Sequence, residues 1–140
     1  TVLRNGEVKV YSSVIRIGKP KAKIDNYSSG GMSVGINEDG TLKEYAYFFN
    51  GDRITSHPSG VKFKGYQLPY YNESVELVKK AHFLVPHFKM VSWDIAVRED
   101  GVPILVEANL SDGQIDLHQL CNGPLFGDDT EMILDEVLLK

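Results

Sequence analysis

The 140-residue sequence has one cysteine, Cys121, so no disulfide can close within it and nothing argues for an oxidising compartment. A lone thiol of this kind is expected to behave as a small hydrophobe. No apolar run approaches the ~20 residues needed to cross a bilayer, and no signal peptide opens the chain, which leaves a cytoplasmic protein as the default. Positive charge is also short. Lys and Arg number 15 against 19 Asp and Glu, giving a formal net charge of -4 and a pI near 5.5, and the basic residues form no block. That balance disfavours nucleic acid as a partner. The glycine spacings of a P-loop or a dinucleotide fingerprint are absent, as are a G-x-S-x-G elbow and a Cys-x-x-Cys pair. His82 and His87 straddle Pro86, and His118 with Cys121 makes only two candidates, so zinc finds no ligand set. There is no initiator Met either. The chain opens at Thr1 and runs at once into a strand-like segment, as a piece of a longer protein would.

What remains is an ordinary globular composition, 42% hydrophobic and 24% charged, of a length that suits one domain over residues 1–140. Asn5-Gly6 is the signal of a tight hairpin, and Val8 to Ile17 is rich in β-branched and aromatic residues. Met32–Ile36 and Leu42–Phe49 read as antiparallel strands around Asn37-Glu38-Asp39-Gly40, because so short a loop cannot make a parallel crossover. Residues 50–71 are punctuated by glycine and proline. Asn72 is the expected cap of a helix that carries Glu73 and Glu76 in its first turn, then Val75, Val78, His82 and Val85 up to Pro86. Met90–Val97 and Pro103–Ala108 pair around a turn at Arg98–Gly101, and Ile104-Leu105-Val106 is apolar throughout, as in a strand covered on both sides. Ile115–Cys121 suggests a short helical turn, and Asp128 or Asp129 the cap of a last amphipathic helix. The order predicts an α+β fold with a mainly antiparallel sheet and packed helices.

The sharpest chemistry lies in the hairpin from Trp93 to Asn109. Asp94 begins one strand, and Glu107 and Asn109 end its partner, so the turn between them brings all three to the same end of the hairpin. Glu107 and Asn109, alternate residues of one strand, leave the same face. Two acids with an amide suit Mg²⁺, which keeps one or two protein carboxylates and fills its shell with water and phosphate oxygens. Spacing alone leaves open a blander possibility, that these side chains merely decorate a strand end. An acid directly after Ile104-Leu105-Val106 would lie at the edge of the core, where an unpaired charge is costly and a cation relieves the cost.

A second constellation precedes it. Arg16 sits between Ile15 and Ile17, inside a strand, where a guanidinium suits bidentate binding of phosphate or carboxylate. Asn26 lies in the loop that leads to Gly30-Gly31, whose missing side chains allow close approach by a phosphate. An ion pair for Arg16 and a plain turn for the glycines remain open at this point. His57, in Ser56-His57-Pro58-Ser59-Gly60, is a loop histidine able to face a ligand, whereas His82 belongs on a packed helix face.

Taken in order, Arg16-Ile17-Gly18, Asp25-Asn26, Gly30-Gly31, His57-Pro58-Ser59-Gly60, Gly65, Trp93-Asp94 with Ala96, Glu107-Ala108-Asn109 and Gln119 through Gly123-Pro124-Leu125 resemble the ATP-grasp superfamily, closest to its sugar-transfer-associated branch. The resemblance implies the C-terminal lobe of that fold, with the N-terminal lobe lying before Thr1. It implies ATP and Mg²⁺ as cofactors, with Asp94, Glu107 and Asn109 as metal ligands and Arg16 as a catalytic, phosphate-facing base. Asn26, Gly30, Gly31 and His57 would stand beside the nucleotide. The implied reaction joins a small-molecule carboxylate to an amine or thiol through an acyl phosphate, or else the chain is a non-catalytic assembly module. A fragment of this kind would be inactive alone and prone to self-association where the other lobe should pack.

Overall fold

The Asn5-Gly6 pair turns as expected. Both residues take positive φ, 51° and 78°, and join β1 (Val2–Arg4) to β2 (Glu7–Lys9) in a two-residue hairpin. The computed structural model describes residues 1–18, 30–111 and 113–138. The β-rich segment from Val8 to Ile17 is not one strand. It breaks at Val10–Ser12, so that β3 (Ser13–Ile17) leaves β2 and enters a second sheet. There β3, β4 (Met32–Ile36), β5 (Leu42–Phe48) and the short β6 (Arg53–Ile54) lie in sequence order, every pair antiparallel.

Alternation along these strands builds the core. Met32 and Val34 of β4 and Leu42 and Ala46 of β5 close over Phe63, flanked by Ile15, Ile17, Ile36, Phe48, Ile54 and Leu68. The pairing of β4 with β5 shifts register between Val34 and Ile36, around Gly35. α2 (Ile115–Asn122) packs there. A Cβ on Gly35 would meet the Asn122 side chain and stand 2.6 Å from the Cys121 carbonyl, so the glycine is required by close approach. Cys121 is buried, and burial pushes its thiol pKa up to about 11, which makes it the inert small hydrophobe its isolation suggested.

α1 (Tyr71–His82) starts differently from the expectation. Its cap is Tyr70 at φ 60°, no side chain caps it, and Asn72 lies inside the first turn, with Glu73 its only acid there. Packing has displaced the local signal: a Cβ on Gly101, itself at φ 84°, would lie 2.5 Å from Tyr70 Cζ. The helix start is thus anchored on the turn between β7 (Ser92–Val97) and β8 (Pro103–Asn109). The helix stops at His82, and 83–88 continue as single turns rather than reaching Val85 in helix. α3 (Thr130–Leu138), after a 3-10 turn at Gly127–Asp129, also lacks the predicted aspartate cap. The Asp129 carboxylate instead accepts from Lys9 Nζ at 2.6 Å and Tyr11 OH at 2.8 Å, tying the helix to the chain after β2.

One expectation about burial fails. β7 and β8 form a separate two-stranded sheet, and Ile104, Leu105 and Val106 are exposed, Val106 to 64%. An apolar run reports that cover is wanted, not that this chain supplies it. Among the described residues the fold is α+β with antiparallel sheets and three α-helices, consistent with a small ATP-grasp-like lobe.

Candidate active site

The β7–β8 register sets Asp94 directly opposite Glu107 and Ser92 opposite Asn109. With alternation along each strand, Ser92, Asp94, Glu107 and Asn109 share one face of the hairpin. Two like charges directly across a ladder repel, and the arrangement asks for a cation. One is present. Arg16, on β3 opposite Ser33, donates from Nη2 to Asp94 Oδ2 at 3.0 Å across the gap between the two sheets. Glu107 and Asn109 make no side-chain hydrogen bond to the described residues, and Glu107 is exposed, so its charge is not held at the core edge as the sequence suggested.

These groups line a cleft of about 600 Å³ bounded by β3, α1, the hairpin and α2, within the range of small-molecule sites. Its walls otherwise mix apolar side chains, Val14, Val75, Val91, Trp93 and Phe126 among them, with polar ones such as Ser12, Ser92 and His118. Trp93, next to Asp94, is fixed from behind. Its Nε1–H donates to Thr1 Oγ1 at 2.7 Å, and that hydroxyl lies 2.7 Å from His82 Nδ1. His82 Nε2 reaches the Phe88 carbonyl at 2.8 Å. A carbonyl only accepts, so Nε2 carries the proton and Nδ1 takes one from Thr1. His82 is fully buried, as expected, and burial lowers its pKa. The relay holds the neutral ring and sets the depth of β7.

The other predicted positions fall elsewhere. Gly31 is buried and Gly30 turns at φ 86° before β4, but neither lines the cleft. His57 also lies off it. Its Nδ1 accepts the Ser59 amide at 3.1 Å and lies 2.7 Å from Ser59 Oγ, so it closes its own turn. Asn26 is outside the described residues.

The donors fit a magnesium ion. Asp94, Glu107 and Asn109 give two anionic oxygens and one amide oxygen on one face, with the remaining positions open to the cleft. Among the described residues no three His, Cys, Asp or Glu side chains gather as a ligand set, so an all-protein cage is not what the hairpin offers.

Comparison with protein families matches residues 1–133 to the family described as sugar-transfer associated ATP-grasp. The chain belongs to that family. No curated protein and no solved structure matches it. Membership supports an ATP-binding, ligase-type domain, and it runs through both the β3 arginine and the acid hairpin. Among the described residues no helix is long and apolar enough to cross a membrane.

Sequence reasoning did not place His118 in this cleft. His118, weighed only as a zinc ligand, lines it from α2, with Nδ1 2.9 Å from Ser12 Oγ. Burial lowers its pKa, while Asp94 and Asp116 pull the other way. No local signal could have found it. Its neighbours come from the link before β3 and from β7, far away in sequence.

Proposed function

We propose that this chain is the Mg·ATP-handling half of an ATP-dependent ligase that joins a small-molecule carboxylate to an amine or thiol. The observation that carries it is the Asp94–Glu107 pair set face to face with Asn109 beside it, in a cleft that also holds Arg16. Asp94, Glu107 and Asn109 would hold magnesium, and Arg16 would face the phosphates. Bound Mg·ATP would supply its terminal phosphoryl group to the substrate carboxylate, with ADP leaving, and the amine or thiol would then attack the acyl carbon of that acyl phosphate and release inorganic phosphate. The chain's own part is electrostatic. Arg16 is already paired with Asp94 at 3.0 Å, so it is oriented before the nucleotide arrives and can spread its charge onto phosphate oxygens. Asn26, Gly30 and Gly31 would flank the nucleotide, and His57 would act from its turn. A preceding lobe would complete the clasp, and the carboxylate would belong to sugar-transfer chemistry. The chain alone would not turn ATP over.

Isothermal titration of Mg·ATP into the intact protein tests this. Asp94→Asn and Glu107→Gln should each weaken binding at least tenfold, the scale on which a charge-assisted contact acts (about 1.5–3 kcal/mol). Unchanged affinity and turnover in both would leave the non-catalytic assembly module as the better account.

A further inference from the structure

The polar cluster between β3 and α2 contains more than packing explains. Asn122 Nδ2 donates twice, to the Ser13 carbonyl at 2.9 Å and to Ser12 Oγ at 2.8 Å. The carbonyl can only accept, which fixes the orientation of the Asn122 amide. Ser12 Oγ receives that N–H, and among the described residues His118 Nδ1, at 2.9 Å, is the one acceptor for its own proton. That assigns the ring proton to Nε2. Nε2 makes no hydrogen bond to the described residues, and His118 is half-buried in the cleft wall with Arg16, Asp94 and Glu107. An uncharged N–H donor, anchored from behind and unpaired in front, is built to meet an anionic oxygen.

Resting on the Mg·ATP function proposed above, we propose that His118 is a binding residue for the terminal phosphoryl group, donating Nε2–H to one of its oxygens. His118 and Asp94 line the same cleft, and the Asp94 carboxylate acts electrostatically on the ring. Ser12 and Asn122 are positioning residues that fix the tautomer. Burial keeps the ring neutral, so it adds direction and not charge, a role distinct from that of Arg16.

The test uses the intact protein with Mg·ATP and Mg·ADP. His118→Asn keeps a polar atom near the Nδ1 position and removes the one at Nε2, while His118→Gln places an amide N–H near Nε2. We expect His118→Asn to lose about tenfold or more in Mg·ATP affinity, with Mg·ADP binding unchanged and His118→Gln largely retaining wild-type affinity. In ¹⁵N-histidine spectra the free protein should show His118 protonated at Nε2, with that nitrogen shifting on Mg·ATP addition and not on Mg·ADP. An Nδ1–H tautomer, equal losses for both nucleotides, or wild-type Mg·ATP affinity in His118→Asn would overturn the assignment. Asp94→Asn separates the two levels. If it abolishes binding while His118→Asn does not, the nucleotide function stands and the role of His118 falls. If the wild-type protein binds no Mg·ATP, both fall.

Discussion

The sheet β3–β6 and the hairpin β7–β8 are made of similar residues and do opposite work. In the sheet, Val34 and Ala46 are at 0% exposure, and Phe63, packed against it, is at 2%. In the hairpin, Val106 is at 64%, and two carboxylates face each other, with Arg16 the one cation among the described residues that pairs with either of them. The sheet is built around a packed core, while the hairpin bears the paired acids of the candidate site and the sheet lends it Arg16. A two-stranded sheet is marginal by itself, and this one is held by what surrounds it: Tyr70 against Gly101 at its turn, and the His82–Thr1–Trp93 relay at its other end. Segregation of this kind lets the site keep an unfavourable charge arrangement without unfolding the domain.

Substitutions can break or sharpen that contrast. The largest effect should come from Phe63→Ala, which empties the centre of the sheet core and should cost about 3–5 kcal/mol in denaturant unfolding. Gly35→Ala should follow at about 1–3 kcal/mol, because the new methyl runs into the Cys121 carbonyl and the Asn122 side chain. It should also weaken Mg·ATP binding by moving α2, which a purely local defect would not do.

Acid acts next, through the relay. His82 is buried with a lowered pKa, so the unfolded chain, where histidine titrates near 6.5, binds the proton more readily. Stability from neutral His82 is therefore complete above 6.5 and is lost as pH falls from there towards the lowered folded value. Urea midpoints measured down this range should drop, and His82→Gln should flatten the drop, leaving the share due to His118, which is shifted in the same direction. A midpoint independent of pH would remove the relay from the account of the hairpin.

Glu107→Gln sharpens the comparison most. It removes one of two opposed acids, so the nucleotide-free protein should gain a few tenths of a kcal/mol (~0.2–1) while Mg·ATP binding falls. A loss of stability instead would mean that the pair is structural. Smallest of all, Val106→Ser should change unfolding by no more than about 0.5 kcal/mol, since the side chain is already largely in water. A loss of several kcal/mol would show that this face is covered in solution.

Much of this was readable along the chain. The Asn5-Gly6 hairpin, the strand pairs around 37–40 and 98–101, and the opposition of Asp94 and Glu107 all follow from turn chemistry and a period of two, which are local. Helix starts were less legible. Tyr70 replaced Asn72, and Asp129 turned to Lys9 and Tyr11, because a contact with a distant element outweighed a cap worth about 1 kcal/mol. Burial of Ile104-Leu105-Val106 was misread, since a run of apolar residues states a preference that only neighbours can satisfy.

By itself, then, the sequence determined the acid hairpin and the strand-borne arginine, because turn and strand signals act over short stretches, and the family, because its motifs recur in order along the whole chain. Only the tertiary structure decided that Arg16 reaches Asp94, that His57 turns to its own loop, and that His118 stands in the cleft. Those outcomes depend on how β3, β7 and α2 come together, and nothing in the local sequence of any one of them carries the distance to the others.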